Sequence, residues 1–157
     1  KELKTQKNKH IKMRIIESLG NSKDKDAVQE LKHVLKTEDD IILKSGAIIS
    51  LGSIGGDEAI TELTTTALSE THNVVLRCDA LEGLSRIRSS DAFNTLVKAT
   101  EDKNPFIRKV AIGLLSQNYY PDRKEVIGPI LKKMLKDTDE QVRNSVKQIV
   151  DSISLKK

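Results

Sequence analysis

The sequence is poor in the residues that build disulfides, aromatic surfaces and catalytic centres. It has one cysteine, no tryptophan, two tyrosines, two phenylalanines and three histidines among 157 residues. With Cys78 alone, the chain can form neither an internal disulfide nor a zinc site made of cysteines. It contains no Gly-x-Ser-x-Gly motif and no glycine-rich phosphate loop. No apolar run approaches the roughly 18 residues that cross a membrane, so we expect no membrane insertion.

Positive charge is concentrated at the N-terminal end. The formal net charge is +4, yet residues 1–14 alone carry +5 and the remainder carries −1. Nucleic-acid-binding proteins usually carry basic residues along a face of the fold. We therefore interpret residues 1–10 as a solvated basic segment or the end of a preceding helix, with a phosphate-binding arm as the alternative. Because the chain starts at Lys1 rather than methionine, we expect it to be part of a longer protein, and we expect a cytoplasmic location.

The sequence is rich in an internal repeat. A branched apolar residue precedes a basic one, and apolar residues follow three, four and seven positions later, most clearly in residues 76–84. The basic residues of the five copies lie 32, 33, 31 and 35 residues apart, at Lys12, Lys44, Arg77, Arg108 and Arg143. Repetition with a period of roughly 20–50 residues is typical of a solenoid.

Each copy predicts a first helix, a turn and a second helix with one apolar stripe. The expected repeats are about 11–38, 39–71, 72–103 and 104–137, followed by a terminal helix at 139–152. The fold class is therefore all-α. We predict one α-solenoid domain over residues 11–157, built from about four and a half helix-turn-helix repeats.

The turn of the fourth repeat differs from the others. Eleven positions separate Leu115 from Val126, against eight in the first three repeats, and the extra length holds Tyr119, Tyr120 and Pro121. We predict a loop at this place. Two interpretations stay open, because exposed tyrosines are frequent in protein interfaces whereas a tyrosine can equally fold over the adjacent repeat.

From residue 11 to 152 the chain resembles HEAT repeats, in particular the short HEAT-like units found in phycobilin-lyase-type proteins. The resemblance rests on the repeated apolar–basic frame, on the glycine-containing turn of residues 47–55, and on an acidic residue six positions before the basic one. These acid–base pairs are Glu38 with Lys44, Asp102 with Arg108, and Asp137 with Arg143. Thr71 precedes Arg77 and Gln6 precedes Lys12, so two copies lack the acid.

The resemblance implies that the carboxylate of an inter-repeat turn bonds the basic side chain of a first helix, which makes the six paired residues structural. It also implies that the second helices line a concave surface. Repeat proteins commonly bind extended segments on such surfaces. The expected partner-binding residues are Gln29, His33, Thr61, Thr65, Asn94, Lys98 and Lys132, together with Tyr119 and Tyr120. The alternative for each is an ordinary solvated helix face.

No set of converging titratable groups is evident. The histidines His10, His33 and His72 lack the His-Glu pairing of the di-iron hydroxylases that share this fold, and we expect them to be solvated. We therefore predict a non-catalytic scaffold that binds a protein partner, has no enzymatic activity, cofactor or metal, and is monomeric. The alternatives are a nucleic-acid-binding module that uses the basic N-terminal segment, and a lyase-like or hydroxylase-like HEAT enzyme subunit.

Overall fold

The computed structural model describes residue 6 and residues 8–154, and this part of the chain forms a stack of paired helices. It contains eight α-helices and no strand. The helices are α1 Lys9–Ser22, α2 Ala27–Thr37, α3 Ile41–Ile54, α4 Gly56–Leu68, α5 Val74–Ile87, α6 Ser90–Ala99, α7 Pro105–Met134 and α8 Glu140–Ser154. The predicted all-α solenoid is confirmed. Within the same residues, none of the helices has the length and apolar character needed to span a membrane.

The first helices of successive repeats stack on one side of the chain, and the second helices stack on the other. The first helices are α1, α3, α5, the first half of α7, and α8. All five begin behind a side-chain cap, in which Asn8, Asp40, Asn73, Asn104 or Asp139 accepts a backbone N–H of the first turn. Such caps satisfy amide groups that have no partner inside the helix. The repeated cap starts each first helix at the same place in its repeat.

The first helices pack at small residues. A Cβ added to Gly52 of α3 would lie 2.7 Å from Cα of Gly83 in α5, and one added to Gly20 would lie 2.7 Å from the Ser50 side chain. Ser50 Oγ also donates to the Ile16 carbonyl oxygen, at 2.9 Å. Neighbouring first helices therefore approach more closely than neighbouring second helices do. The helices are therefore spaced more widely on the second-helix side of the stack. The resemblance to HEAT repeats implied instead that this side is concave, where helices lie closer together.

The core is a continuous apolar seam between the two layers. Each repeat contributes fully buried leucine or isoleucine side chains to it, including Ile16, Leu51, Leu63, Leu84 and Leu115. Val142 and Val146 of α8 close the seam at the C-terminal end of the described residues. Burying each such side chain stabilises the fold by about 1.5–3 kcal/mol before entropy is counted.

The predicted loop in the fourth repeat is wrong, because the chain stays helical from Pro105 to Met134. Only Arg123 leaves helical geometry, with φ −135° and ψ 31°. Pro121 lies just before this point. Proline removes a backbone donor and clashes with the preceding turn, which bends a helix without necessarily ending it. The extra length is therefore a kink between the two halves of α7.

Tyr119 lies inside α7 and is only 4% exposed. Its ring centroid is 5.2 Å from that of Phe93 in the preceding repeat, with the two planes tilted at 60°. The Arg123 guanidinium lies 4.7 Å from the same Phe93 centroid. The sequence left open whether the tyrosines are exposed interface residues or fold over the adjacent repeat. Tyr119 folds over the adjacent repeat. Tyr120 is half-buried.

Candidate functional site

Ion pairs link the basic residues of three first helices to the inter-repeat turns that follow them. Arg108 donates from Nε to Asp137 Oδ2 at 2.8 Å and from Nη2 to Asp137 Oδ1 at 2.5 Å. The equivalent pairs one and three repeats earlier are Arg77 with Asp102 and Lys12 with Glu38. We call these three pairs the ion-pair ladder. They connect consecutive repeats along the stack.

The pairing of acids and bases predicted from the sequence is therefore wrong by one repeat. Arg108 does bond to Asp102, but through the Asp102 carbonyl oxygen at 2.9 Å, and Arg143 bonds to the Asp137 carbonyl oxygen at 2.8 Å. The Asp102 carboxylate instead bonds Arg77. Its other oxygen accepts the Asn104 N–H at 2.8 Å, which orients the side chain towards the preceding repeat.

The predicted pair of Glu38 with Lys44 is also absent. Glu38 pairs with Lys12, and no ion pair involving Lys44 is present in the described part of the chain. Lys44 is thus a predicted structural base that takes no part in the ladder. Arg143 likewise has only backbone carbonyl partners among the described residues.

The pair between Arg108 and Asp137 is shielded from solvent, with side chains 13% and 9% exposed. The hydrogen bond from Arg108 is the main reason why the pKa of Asp137 lies below its usual value. The same bond raises the pKa of Arg108. Both groups are therefore charged at neutral pH, and each is the main stabilising contact of the other.

Three clefts open along the surface formed by the second helices, which we call the second-helix face. Cleft A, of about 590 Å³, lies between α2, α3, α4 and the start of α5. Cleft B, of about 470 Å³, lies between α4 and α6. Cleft C, of about 710 Å³, lies between α6 and the second half of α7.

Six of the nine predicted partner-binding residues line these clefts. Gln29 and His33 lie in cleft A, Thr61 and Thr65 in cleft B, and both Asn94 and Lys98 in clefts B and C. The other three lie elsewhere. Lys132 is exposed on α7 outside the cleft linings, Tyr119 is buried, and Tyr120 lines a separate groove between α7 and α8.

Cleft A also contains two residues that the sequence did not indicate as partner contacts, Glu62 of α4 and His72 from the turn before α5. They lie in its lining together with His33 and Lys44. These residues are dispersed over four segments and share no periodic position, so no spacing in the sequence could have indicated their proximity. No group of three or more His, Cys, Asp or Glu side chains in residues 6 and 8–154 is arranged to hold a metal ion.

Part of the basic N-terminal segment is engaged within the fold. Lys9 pairs with Asp40 at 2.6 Å, and the hydrogen bond from Lys9 is the main cause of the lowered pKa of that carboxyl. Lys12 belongs to the ion-pair ladder. Residues 1–5 and 7, which carry the other lysines of the segment, lie outside the described residues.

Comparison with known proteins agrees with the repeat architecture. The sequence profile of HEAT repeats matches residues 1–77 and 65–149, which together cover most of the chain. The chain belongs to the HEAT-repeat family. A comparison with curated protein sequences found no match.

One solved structure similar to this HEAT-repeat chain is the complex of CpcE and CpcF of phycocyanin lyase from Nostoc sp. PCC7120. The identity is 25%, the TM-score is 0.64, and the alignment covers 89% of this chain and 87% of the other. That protein is an enzyme, so the prediction that this chain has no enzymatic role is wrong. The prediction relied on the lack of a catalytic motif within one chain, a criterion that says nothing about a subunit that works in a complex.

Proposed function

We propose that this HEAT-repeat chain is the partner-binding subunit of a lyase-like enzyme and holds a protein partner along its second-helix face. The observation that carries the proposal is the row of three clefts, which occupies successive steps of one face and contains most of the side chains expected to contact a partner. The similarity to a chain from a two-protein lyase complex supports both parts, the lyase-like class and the need for a partner.

The scaffold suits this role because its repeats are held in register. The ion-pair ladder and the close contact between Gly52 and Gly83 fix the first-helix layer. The second helices, which pack on that layer, present the clefts. A preorganised surface binds with a smaller loss of conformational freedom than a flexible one.

A protein partner is favoured over nucleic acid by the distribution of charge. Lys9 and Lys12 of the basic segment are already paired with Asp40 and Glu38. On the second-helix face, Lys133 is paired with Glu101 and Lys32 with Glu58. Mixed charge of this kind lacks the continuous positive stripe that phosphate binding requires.

Affinity capture from a native lysate, with matched variants, tests the binding part of the proposal. Lys98→Glu reverses a charge that borders clefts B and C, whereas Lys132→Glu makes the same change on an exposed helix position outside them. We expect Lys98→Glu to reduce capture of the partner about tenfold or more, and Lys132→Glu to leave capture near the wild-type level. Equal capture by both variants, or recovery of nucleic acid alone, would contradict the proposal.

The lyase-like part is tested by the same preparation. The resemblance to phycobilin-lyase-type proteins implies that the captured complex carries a chromophore, which a visible absorption spectrum would detect. A complex that contains the partner and absorbs no visible light would contradict the lyase-like assignment. In that event the binding result would still stand.

A further inference from the structure

We infer that cleft A binds a carboxylate group of the protein partner, which pairs with Lys44 in place of an acid missing from the ion-pair ladder. The inference rests on the proposed function and specifies the chemistry of the partner segment at the N-terminal end of the second-helix face. It identifies Lys44 as the recognition residue.

The register of the ladder shows which acid is missing. In its three pairs the acid follows the base by 26, 25 and 29 residues, as in Lys12 with Glu38, Arg77 with Asp102, and Arg108 with Asp137. For Lys44 the equivalent position is 71, which precedes Arg77 by six residues as Asp102 precedes Arg108. Thr71 occupies this position and has no carboxylate.

Neighbouring side chains do not replace the missing acid. Glu70, the acid next to Thr71, is paired with Lys103 in the following repeat at 3.0 Å. The Thr71 hydroxyl is hydrogen-bonded to that of Ser69 at 2.9 Å. Lys44 is half-buried and forms no ion pair with any of the described residues. An ammonium group without a counter-ion favours the binding of an anion.

The surroundings of Lys44 fit a carboxylate carried by a protein chain. Cleft A provides about 590 Å³ and is open to solvent along α2 and α4, which is enough space for an acidic side chain and its backbone. Its lining adds the donors His33, Lys36 and His72. Glu62 also lies in this lining, so the cleft has mixed charge and is not a continuous basic surface of the kind that binds nucleic acid.

Thr71→Asp provides the sharpest test because it supplies the missing acid within the chain. The probe is an acetylated and amidated hexaglutamate peptide, with hexaglutamine as the uncharged comparison and glutarate as a free small dicarboxylate. Binding would be measured by calorimetry and by the NMR signal of the Lys44 side chain. Gln148→Asp, which adds the same charge at an exposed position of α8 outside clefts A, B and C, is the control.

We expect the wild type and Gln148→Asp to bind hexaglutamate but not hexaglutamine, with a shift of the Lys44 signal. We expect Thr71→Asp and Lys44→Met each to weaken this binding about tenfold or more. Thr71→Asp should also raise the thermal unfolding midpoint, and that gain should disappear when Lys44→Met is added. Thr71→Asp keeps Lys44 in place, so its result tests the site even if Lys44→Met folds poorly.

The inference would be overturned if hexaglutamate bound no better than hexaglutamine, or bound Thr71→Asp as well as the wild type. It would also be overturned if glutarate bound as tightly as the peptide, since the site would then belong to a free small carboxylate. Either outcome is separable from failure of the proposed function, which is measured by the Lys98-dependent capture of the partner.

Discussion

Arg108 and Asp137 lie 29 residues apart and form two parallel hydrogen bonds, from Nε and Nη2 of the guanidinium to the two carboxylate oxygens. Arg108 also bonds the Asp102 carbonyl oxygen through Nη1. A single side chain therefore connects the turn before α7 to the turn after it. This arrangement makes Arg108 a connection between consecutive repeats, and two-point pairing of this kind is among the stronger hydrogen-bonded contacts in proteins.

Arg108→Ala should lower the free energy of unfolding by about 1–3 kcal/mol, because it leaves the shielded Asp137 carboxylate without its partner. Urea unfolding at neutral pH would measure the loss. The control is Arg86→Ala, which removes a pair with Glu82 whose side chains are 58% and 55% exposed. Such an exposed pair should change stability by no more than about 0.5 kcal/mol. Equal effects of the two substitutions would refute the structural role of Arg108.

Acid should remove the contribution of Asp137. Its pKa in the folded chain is lowered, chiefly by the hydrogen bond from Arg108, below the value of about 3.9 typical of an unfolded chain. The carboxylate therefore stabilises the fold above the unfolded pKa, and the stabilisation is lost as the pH falls through the folded pKa. The stability difference between wild type and Asp137→Asn should be constant above about pH 5 and should shrink below about pH 4. A difference that grows in acid would contradict this.

Gly52→Ala should destabilise the stack by about 1–3 kcal/mol, since overpacking at a backbone contact forces the helices apart. The added Cβ would lie 2.7 Å from the Gly83 Cα, and a backbone atom cannot move away as a flexible side chain can. Gly113→Ala is the matched control, because no atom lies within 4 Å of a Cβ at that position of α7. It should stabilise the helix by about 0.5–1 kcal/mol. If both variants changed the thermal unfolding midpoint in the same direction, α3 and α5 would not pack as described.

The repeat architecture could be predicted because apolar periodicity is local. Each copy of the repeated apolar and basic pattern predicts its own pair of helices, without knowledge of the other copies. The partners in the ion-pair ladder could not be derived in this way. Asp102 lies six residues before Arg108 and 25 after Arg77, and both separations recur along the chain. Only the stacking of one repeat on the next determines which base its carboxylate reaches.

The fourth repeat shows a second limit of sequence reasoning. Pro121 and the extra length indicated a loop, but a helix accepts a proline when it can bend at the unpaired carbonyl. Burial of Tyr119 depends on Phe93, 26 residues earlier in the preceding repeat, and on Arg123 beyond the proline. Cleft A combines residues from four segments for the same reason, because tertiary packing alone brings them together.

Amide hydrogen exchange with and without the captured partner tests whether the second-helix face holds a protein partner. We expect slower exchange on binding in residues 56–68 and 90–99, the helices α4 and α6 on either side of cleft B. Exchange in residues 140–154, the helix α8, should stay unchanged. Protection confined to the first helices or to the N-terminal segment, with α4 and α6 unaffected, would show that the partner binds elsewhere.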